Sequence, residues 1–264
     1  MKSYKNKATD FDAAVTMARQ SLVRFAALSF LDPLSGAWRK LHGLRDDPML
    51  HDAAALLRAH PGARPQAMGL CERSLDDLNP RRVLDRLPDS PQALNAEYER
   101  TFGLLVSGAC PPYETEYVDS KFTFQRSNSL ADISGFYQAF GLAISDQHPE
   151  RPDHVVLELE FMAHLLGLER QAAVEDSDRR AEHLQVCRDA QARFLGEHLA
   201  WWTPAFAKLL GCANQNGFYA AAGVFLAALI PAERALLRLP PASRPVGPSV
   251  VERPELCEGC QLAD

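Results

Sequence analysis

No apolar run in this chain is long enough to cross a bilayer. The longest, from Gly217 to Ile230, falls short of the roughly 20 residues that a spanning helix needs. It reads as a buried helix, and no stable membrane insertion is expected. Clusters of Lys and Arg are missing too, and the formal net charge is -6. Such a surface repels phosphate backbones, so nucleic acid is set aside as a partner. The basic start Met1-Lys2-Ser3-Tyr4-Lys5-Asn6-Lys7 leads into no apolar signal core but into an amphipathic stretch carrying Asp10 and Asp12. Neither secretion nor import is indicated. The six cysteines are expected to be free thiols in a reducing compartment, which places the chain in the cytoplasm. Motifs that announce common chemistries are also absent. There is no Gly-rich Rossmann turn, Walker loop, His-Glu-x-x-His or Gly-x-Ser-x-Gly. No catalytic residue and no cofactor are assigned, and the chain reads as a protein that holds another polypeptide, not an enzyme.

Strand signals are scarce: only Thr115–Phe124 alternates β-formers, and a lone strand cannot stand by itself. Helical spacing fills the rest. Phe11, Val15, Ala18, Leu22, Phe25 and Leu28 recur every three or four residues, with Asp10 as N-cap and Asp32-Pro33 as stop. Shorter helices are predicted over Leu34–His42 and Met49–His60. Ser90-Pro91 supplies a capping hydroxyl and a proline at the first helical position for a helix to about Phe102. A loop follows over Gly103–Pro112, then a helix from Leu130 to Phe140 closed by Gly141. The longest stripe, Val155, Leu159, Met162 and Leu166, predicts a helix over Asp153–Ala173. Another is expected from Asp176-Ser177-Asp178 to Leu199, then Trp201–Leu210 and Phe218–Ile230, with Pro231 opening a last short turn. Between Pro240 and Pro254 lie five prolines, an extended tail. The expectation is all-α: one helical-bundle domain over residues 1–239 and a proline-rich tail over 240–264.

Three groups of residues invite a chemical reading. In Glu150-Arg151-Pro152-Asp153-His154, leading to Glu158, His154 and Glu158 stand one helical turn apart. They read either as a metal or acid–base pair or as helix-start chemistry, with Asp153 capping free N–H groups. The second reading is the simpler. An HD-type metal hydrolase requires His before Asp, the reverse of the order here. His183 and Cys187 share a helix face, and Cys257-x-x-Cys260 supplies half of a metal or redox site with no visible second half. These cysteines carry the alternative function, a metal- or redox-linked helical protein. The third group is aromatic and acidic: Tyr98, Phe102, Tyr113, Glu114, Glu116, Tyr117, Phe136, Tyr137 and Phe140. Phe136 and Phe140 suit a core. Tyr113-Glu114-Thr115-Glu116-Tyr117 follows two prolines and suits a cationic, partly apolar ligand, with acids for Arg or Lys and rings for guanidinium faces.

Taken in order, Glu97-Tyr98-Glu99-Arg100-Thr101-Phe102-Gly103, Tyr113–Tyr117, Asp132-Ile133-Ser134-Gly135-Phe136-Tyr137-Gln138-Ala139-Phe140-Gly141-Leu142 and Glu150–His154 running into Glu158-Leu159-Glu160-Phe161-Met162 resemble the TorD/DmsD/NarJ family of molybdoenzyme-specific chaperones. The resemblance covers about residues 95–170. In many members one residue separates the proline from Asp-His, whereas Pro152 directly precedes Asp153 here. The resemblance implies an assembly chaperone that binds the twin-arginine leader and apo form of a molybdoenzyme catalytic subunit. Such a chaperone assists cofactor insertion and delays export. The branch most similar serves dimethyl sulfoxide reductase-type enzymes and is often counted as a delta subunit absent from the finished complex. By resemblance, Asp153, His154 and the loop with Tyr113, Glu114, Glu116 and Tyr117 line the leader groove, and the leader's own chemistry adds Glu158 to the acids and Phe136 and Tyr137 to the apolar side. Acids beside apolar side chains, Leu157 among them, match paired arginines followed by an apolar stretch. A monomer is expected, with a domain-swapped dimer as the alternative.

Overall fold

Residues 4–103, 110–118, 123–145 and 150–242 are described by the computed structural model. Their regular elements are all helical: α1 (Tyr4–Phe30), α2 (Ala37–Gly43), α3 (Pro48–Ala59), α4 (Pro80–Leu84), α5 (Pro91–Phe102), α6 (Thr123–Ala139), α7 (Val155–Val174), α8 (Arg180–Phe194), α9 (Ala200–Ala213) and α10 (Phe218–Leu236). Short 3-10 turns, including Glu114–Tyr117, link them, and a π-turn at Leu195–Leu199 joins α8 to α9 without a break.

Local chemistry sets most of the ends. Asp32 accepts from the Leu34 N–H at 2.8 Å and turns the chain after α1. Asp47 caps α3 and Ser90 caps α5, each ahead of a proline. Gly141, at φ 74°, closes α6 as a Schellman motif. Its N–H bonds to the Gln138 carbonyl, and that of Leu142 reaches back to Tyr137. Four ends depart from expectation. Asp10 lies inside α1 and not at its start. Helix α6 begins at Thr123 and not at Leu130; of the alternating stretch 115–124, where no strand was expected to stand, residues 119–122 lie outside the described residues. The N-cap of α7 is His154, not Asp153. Pro231 lies within α10 instead of ending it. A proline there leaves the Ala227 carbonyl without its helical donor, and the Arg73 N–H supplies one at 2.9 Å.

Helix α1 lies against α7, α3 and α10, while α9 packs on α10 and α7 on α8. Being covered on several sides, α1 buries more than a stripe: Val15, Ala18, Leu22 and Phe25 as the spacing predicts, and Val23, Ala26, Ala27 and Phe30 besides. Leu28 is only partly buried, and the Phe11 side chain lies outside the described residues. In α7, Val155, Leu159, Met162 and Leu166 are all buried. Helix α10 carries the apolar run on past Ile230 to Leu236 and so, unlike the run alone, is long and apolar enough to cross a membrane by length and composition, but 78% of that window is buried inside the protein. It is the core helix against which Phe25 sets its ring edge-on to Phe225 at 5.1 Å. Two buried ion pairs fasten its C-terminal end. Arg19 of α1 grips Glu233 through Nε and Nη2, and Arg234 grips Glu72 in the same forked way.

Candidate functional site

The segment after Cys110 runs antiparallel to the start of α7 for a single bridge, Tyr113 to His154. Two backbone bonds hold it, Glu114 N–H to the Asp153 carbonyl and Val155 N–H to that of Pro112, both 2.9 Å. His154 Nδ1 accepts from the Val156 N–H at 3.2 Å. Burial keeps its pKa below the ordinary value and so favours the neutral ring that such a cap requires. Asp153 is fully buried and faces away from its own helix. Its Oδ2 accepts from the backbone N–H and hydroxyl of Thr115, at 3.1 and 2.8 Å. The carboxylate therefore fastens the 113–117 turn to α7.

A guanidinium completes this joint. Arg151 donates from Nε and Nη2 to both oxygens of Asp153, at 3.0 and 2.8 Å, and from Nη2 to Thr115 Oγ1 at 2.7 Å. Its Nη1 reaches Glu116 at 3.3 Å, and its Cζ lies 4.2 Å over the Tyr113 ring. Arg126 of α6 approaches Glu116 from the other side at 3.7 Å. The Tyr113 hydroxyl donates to Glu150 at 3.3 Å, and burial beside that acid pushes the phenol up to about 12. Tyr137 donates to the Pro152 carbonyl at 2.8 Å, tying α6 to the turn before α7.

Beneath lies a second polar layer. Glu114 and Glu158 are both buried. Glu114 accepts from Trp201 Nε1 at 3.0 Å and faces His198 Nδ1 at the same distance. Glu158 accepts from Trp202 Nε1 at 3.1 Å. Its other oxygen has no hydrogen-bond partner. Burial, then the neighbouring Glu114, raise the Glu158 pKa well above the carboxylate range and so favour its neutral form. Tyr117 donates to the Pro111 carbonyl at 3.0 Å and packs its ring on Trp202.

The expected site residues thus converge, but most face inward. Glu114, Tyr117, Tyr137, Asp153, His154 and Glu158 are buried, while Tyr113, Glu116 and Phe136 are half-buried. His154 and Glu158 share a turn without sharing a partner: one caps α7, the other meets Trp202. His198, Trp201 and Trp202 were not anticipated. Their only trace is the string Glu197-His198-Leu199-Ala200-Trp201-Trp202, whose π-turn has no recognisable spacing. His183 turns to Glu175 at 2.7 Å, and burial pushes the Cys187 thiol up. Cys257 and Cys260 lie outside the described residues, as does most of the proline-rich tail. A groove of about 1110 Å³ lies elsewhere, between residues 70–86 and helices α9 and α10. None of the expected site residues lines it.

The family described as Nitrate reductase delta subunit matches residues 67–208. A selenate reductase assembly chaperone of Thauera selenatis is 37% identical over 112 residues, covering 42% of this chain and 54% of the relative. A chlorate reductase assembly chaperone of Ideonella dechloratans matches with the same figures, 37% over 112 residues, 42% and 54%. A TorD chaperone of Aliivibrio fischeri is 26% identical over 133 residues, covering 50% of this chain and 59% of the relative. The chain therefore spans little more than half the length of the curated relatives it matches.

Proposed function

Because the chain belongs to the nitrate reductase delta subunit, TorD-like family of redox enzyme maturation chaperones, we propose that it is a cytoplasmic assembly chaperone for a molybdoenzyme of the dimethyl sulfoxide reductase type. It acts by binding the catalytic subunit's twin-arginine leader and apo form, not by turnover. The observation that carries this reading is the reach of the family match. Residues 67–208 include the whole joint, from the Tyr113–Tyr117 turn through α6 and the start of α7 to His198.

The chemistry of the joint supports it. Asp153, Thr115, Glu116 and the Tyr113 ring together satisfy one guanidinium, that of Arg151, by ion pairing, hydrogen bonds and stacking. A leader arginine asks for the same contacts. Glu116, Glu150 and the half-buried Phe136 and Leu157 form the accessible fringe of this surface, acidic beside apolar. The buried members act beneath it by holding the turn in place.

The test is calorimetric titration of the whole chain with twin-arginine leader peptides from neighbouring molybdoenzyme genes, alongside Arg-to-Ala peptides. Glu116→Gln and Tyr113→Ala alter the fringe and leave the buried carboxylates intact. Saturable binding of one leader, weakened by the peptide change and by both protein changes, supports the reading. A folded chain that binds no leader, or binds the Arg-to-Ala peptide equally well, overturns it.

A further inference from the structure

His198 stands in the π-turn between α8 and α9 with 3% of its surface exposed. Its Nδ1 is 3.0 Å from Glu114 Oε2. Its Nε2, also buried, makes no hydrogen bond and lies 3.3 Å from Asp132 Oδ2 on α6. Glu197 precedes it in the same turn. The ligating atoms of Asp132, Glu197 and His198 all lie within 4.8 Å of one another. We propose that these three residues hold a divalent first-row transition metal ion and so clamp α6 to the π-turn.

The histidine is prepared for the task from behind. A carboxylate against Nδ1 fixes the proton on that nitrogen and turns the Nε2 lone pair outward, the arrangement by which metal-binding imidazoles are oriented. Glu114 is in turn held by Trp201 Nε1 at 3.0 Å, so it cannot swing away. A buried ring nitrogen and a carboxylate oxygen 3.3 Å apart with no hydrogen bond between them leave a position that a cation bound to both would fill. In a tetrahedral site with bonds of about 2.1 Å, neighbouring ligand atoms stand about 3.4 Å apart, which matches the Nε2 to Oδ2 separation. Asp132 and Glu197 keep 57% and 47% of their side chains exposed, so an ion has an entry path and the carboxylates can adjust. One imidazole with two carboxylates and no thiolate suits borderline cations such as Zn²⁺, Fe²⁺ or Mn²⁺. The competitor on the page is Arg193, which pairs with Glu197 at 3.3 Å and lies over the Phe136 ring. Metal binding has to release that exposed pair, which is worth little. The other occupant of the gap is a proton, making His198 an imidazolium between two acids.

The test uses the full chain with its thiols reduced, titrated with Mn²⁺ and followed by loss of the free-ion paramagnetic resonance signal. Mn²⁺ prefers oxygen and nitrogen ligands, so the cysteines do not compete. The expected result is one Mn²⁺ per chain, displaced by Zn²⁺, with the His198 ring resonances broadened. Asp132→Asn and Glu197→Gln, both at exposed positions, should keep the helical content and each weaken binding about tenfold or more. An Asp132→Asn/Glu197→Gln double variant that binds Mn²⁺ as the wild type does, or His198 resonances untouched at saturation, would overturn the proposal. So would a chain that takes up neither ion and shows both His198 nitrogens protonated: the gap then holds a proton only.

Discussion

Asp153, just ahead of α7, and Glu158, in its first turns, are used in opposite ways. Asp153 stays paired: two N–H groups of Arg151 and two donors of Thr115 surround it. Asp153→Ala removes the fastening of the 113–117 turn and strands Arg151, so unfolding by urea should show a loss of about 2 kcal/mol or more. Asp153→Asn keeps an acceptor for Thr115 and should lose less. Glu158 has its folded pKa raised above the ordinary 4.5. For such a group the folded state holds a proton that the unfolded state gives up. Its stabilisation is complete below 4.5 and declines as pH rises toward the folded value. Glu158→Gln carries a permanent neutral amide that can accept from Trp202 and donate to Glu114. Its urea midpoint should fall less than that of the wild type between pH 5 and 8; an equal fall would show that Glu158 is ionised in the fold. The Asp-His string singles out this spot, yet its spacing assigns capping to the wrong residue. Whether an aspartate caps its own helix or reaches sideways depends on what lies beside it. Here that neighbour is Thr115, far away in sequence.

Among the elements, periodicity was most legible where a helix packs on its neighbours through a simple stripe. Val155, Leu159, Met162 and Leu166 were readable as a core face because α1 and α8 cover α7. Pro231 was misread for a definable reason. An interior proline costs about 3 kcal/mol when it orphans a carbonyl and crowds the preceding turn. Here the orphan, Ala227, is satisfied by the Arg73 backbone, and no local pattern announces that contact. Pro231→Ala should therefore stabilise the protein by less than about 1 kcal/mol in thermal unfolding. A gain near 3 kcal/mol would mean that the Arg73 bond does not offset the break. The π-turn at Leu195–Leu199 was illegible for a similar reason. Its one extra residue per turn shifts the faces of α8 and α9, directing His198 inward to Glu114 and Trp202 to Glu158. It lies just before Pro204, the other interior proline, where the helical ladder is weakest.

Across the whole molecule the apolar core is continuous from α1 to α10, and the charges that cross it are paired. Arg19, Glu233, Gln191 and Glu169 join α1, α7, α8 and α10 in one buried network. Glu233→Ala leaves Arg19 without its main partner and should cost about 3–5 kcal/mol, whereas Arg19→Met with Glu233→Leu should cost far less. Equal losses in the two variants would make the network a source of net stability. The all-helical class follows from composition and spacing, because helices close their own hydrogen bonds. The orientation of the joint does not, because four segments distant in sequence meet there. The partner surface is correspondingly the least local property of the chain. Hydrogen exchange of the whole protein with and without a saturating twin-arginine leader peptide tests it most directly. Protection concentrated at residues 113–117 and 150–158 is the predicted result. Protection confined to the groove between residues 70–86 and helices α9 and α10, with the joint unchanged, would contradict the account.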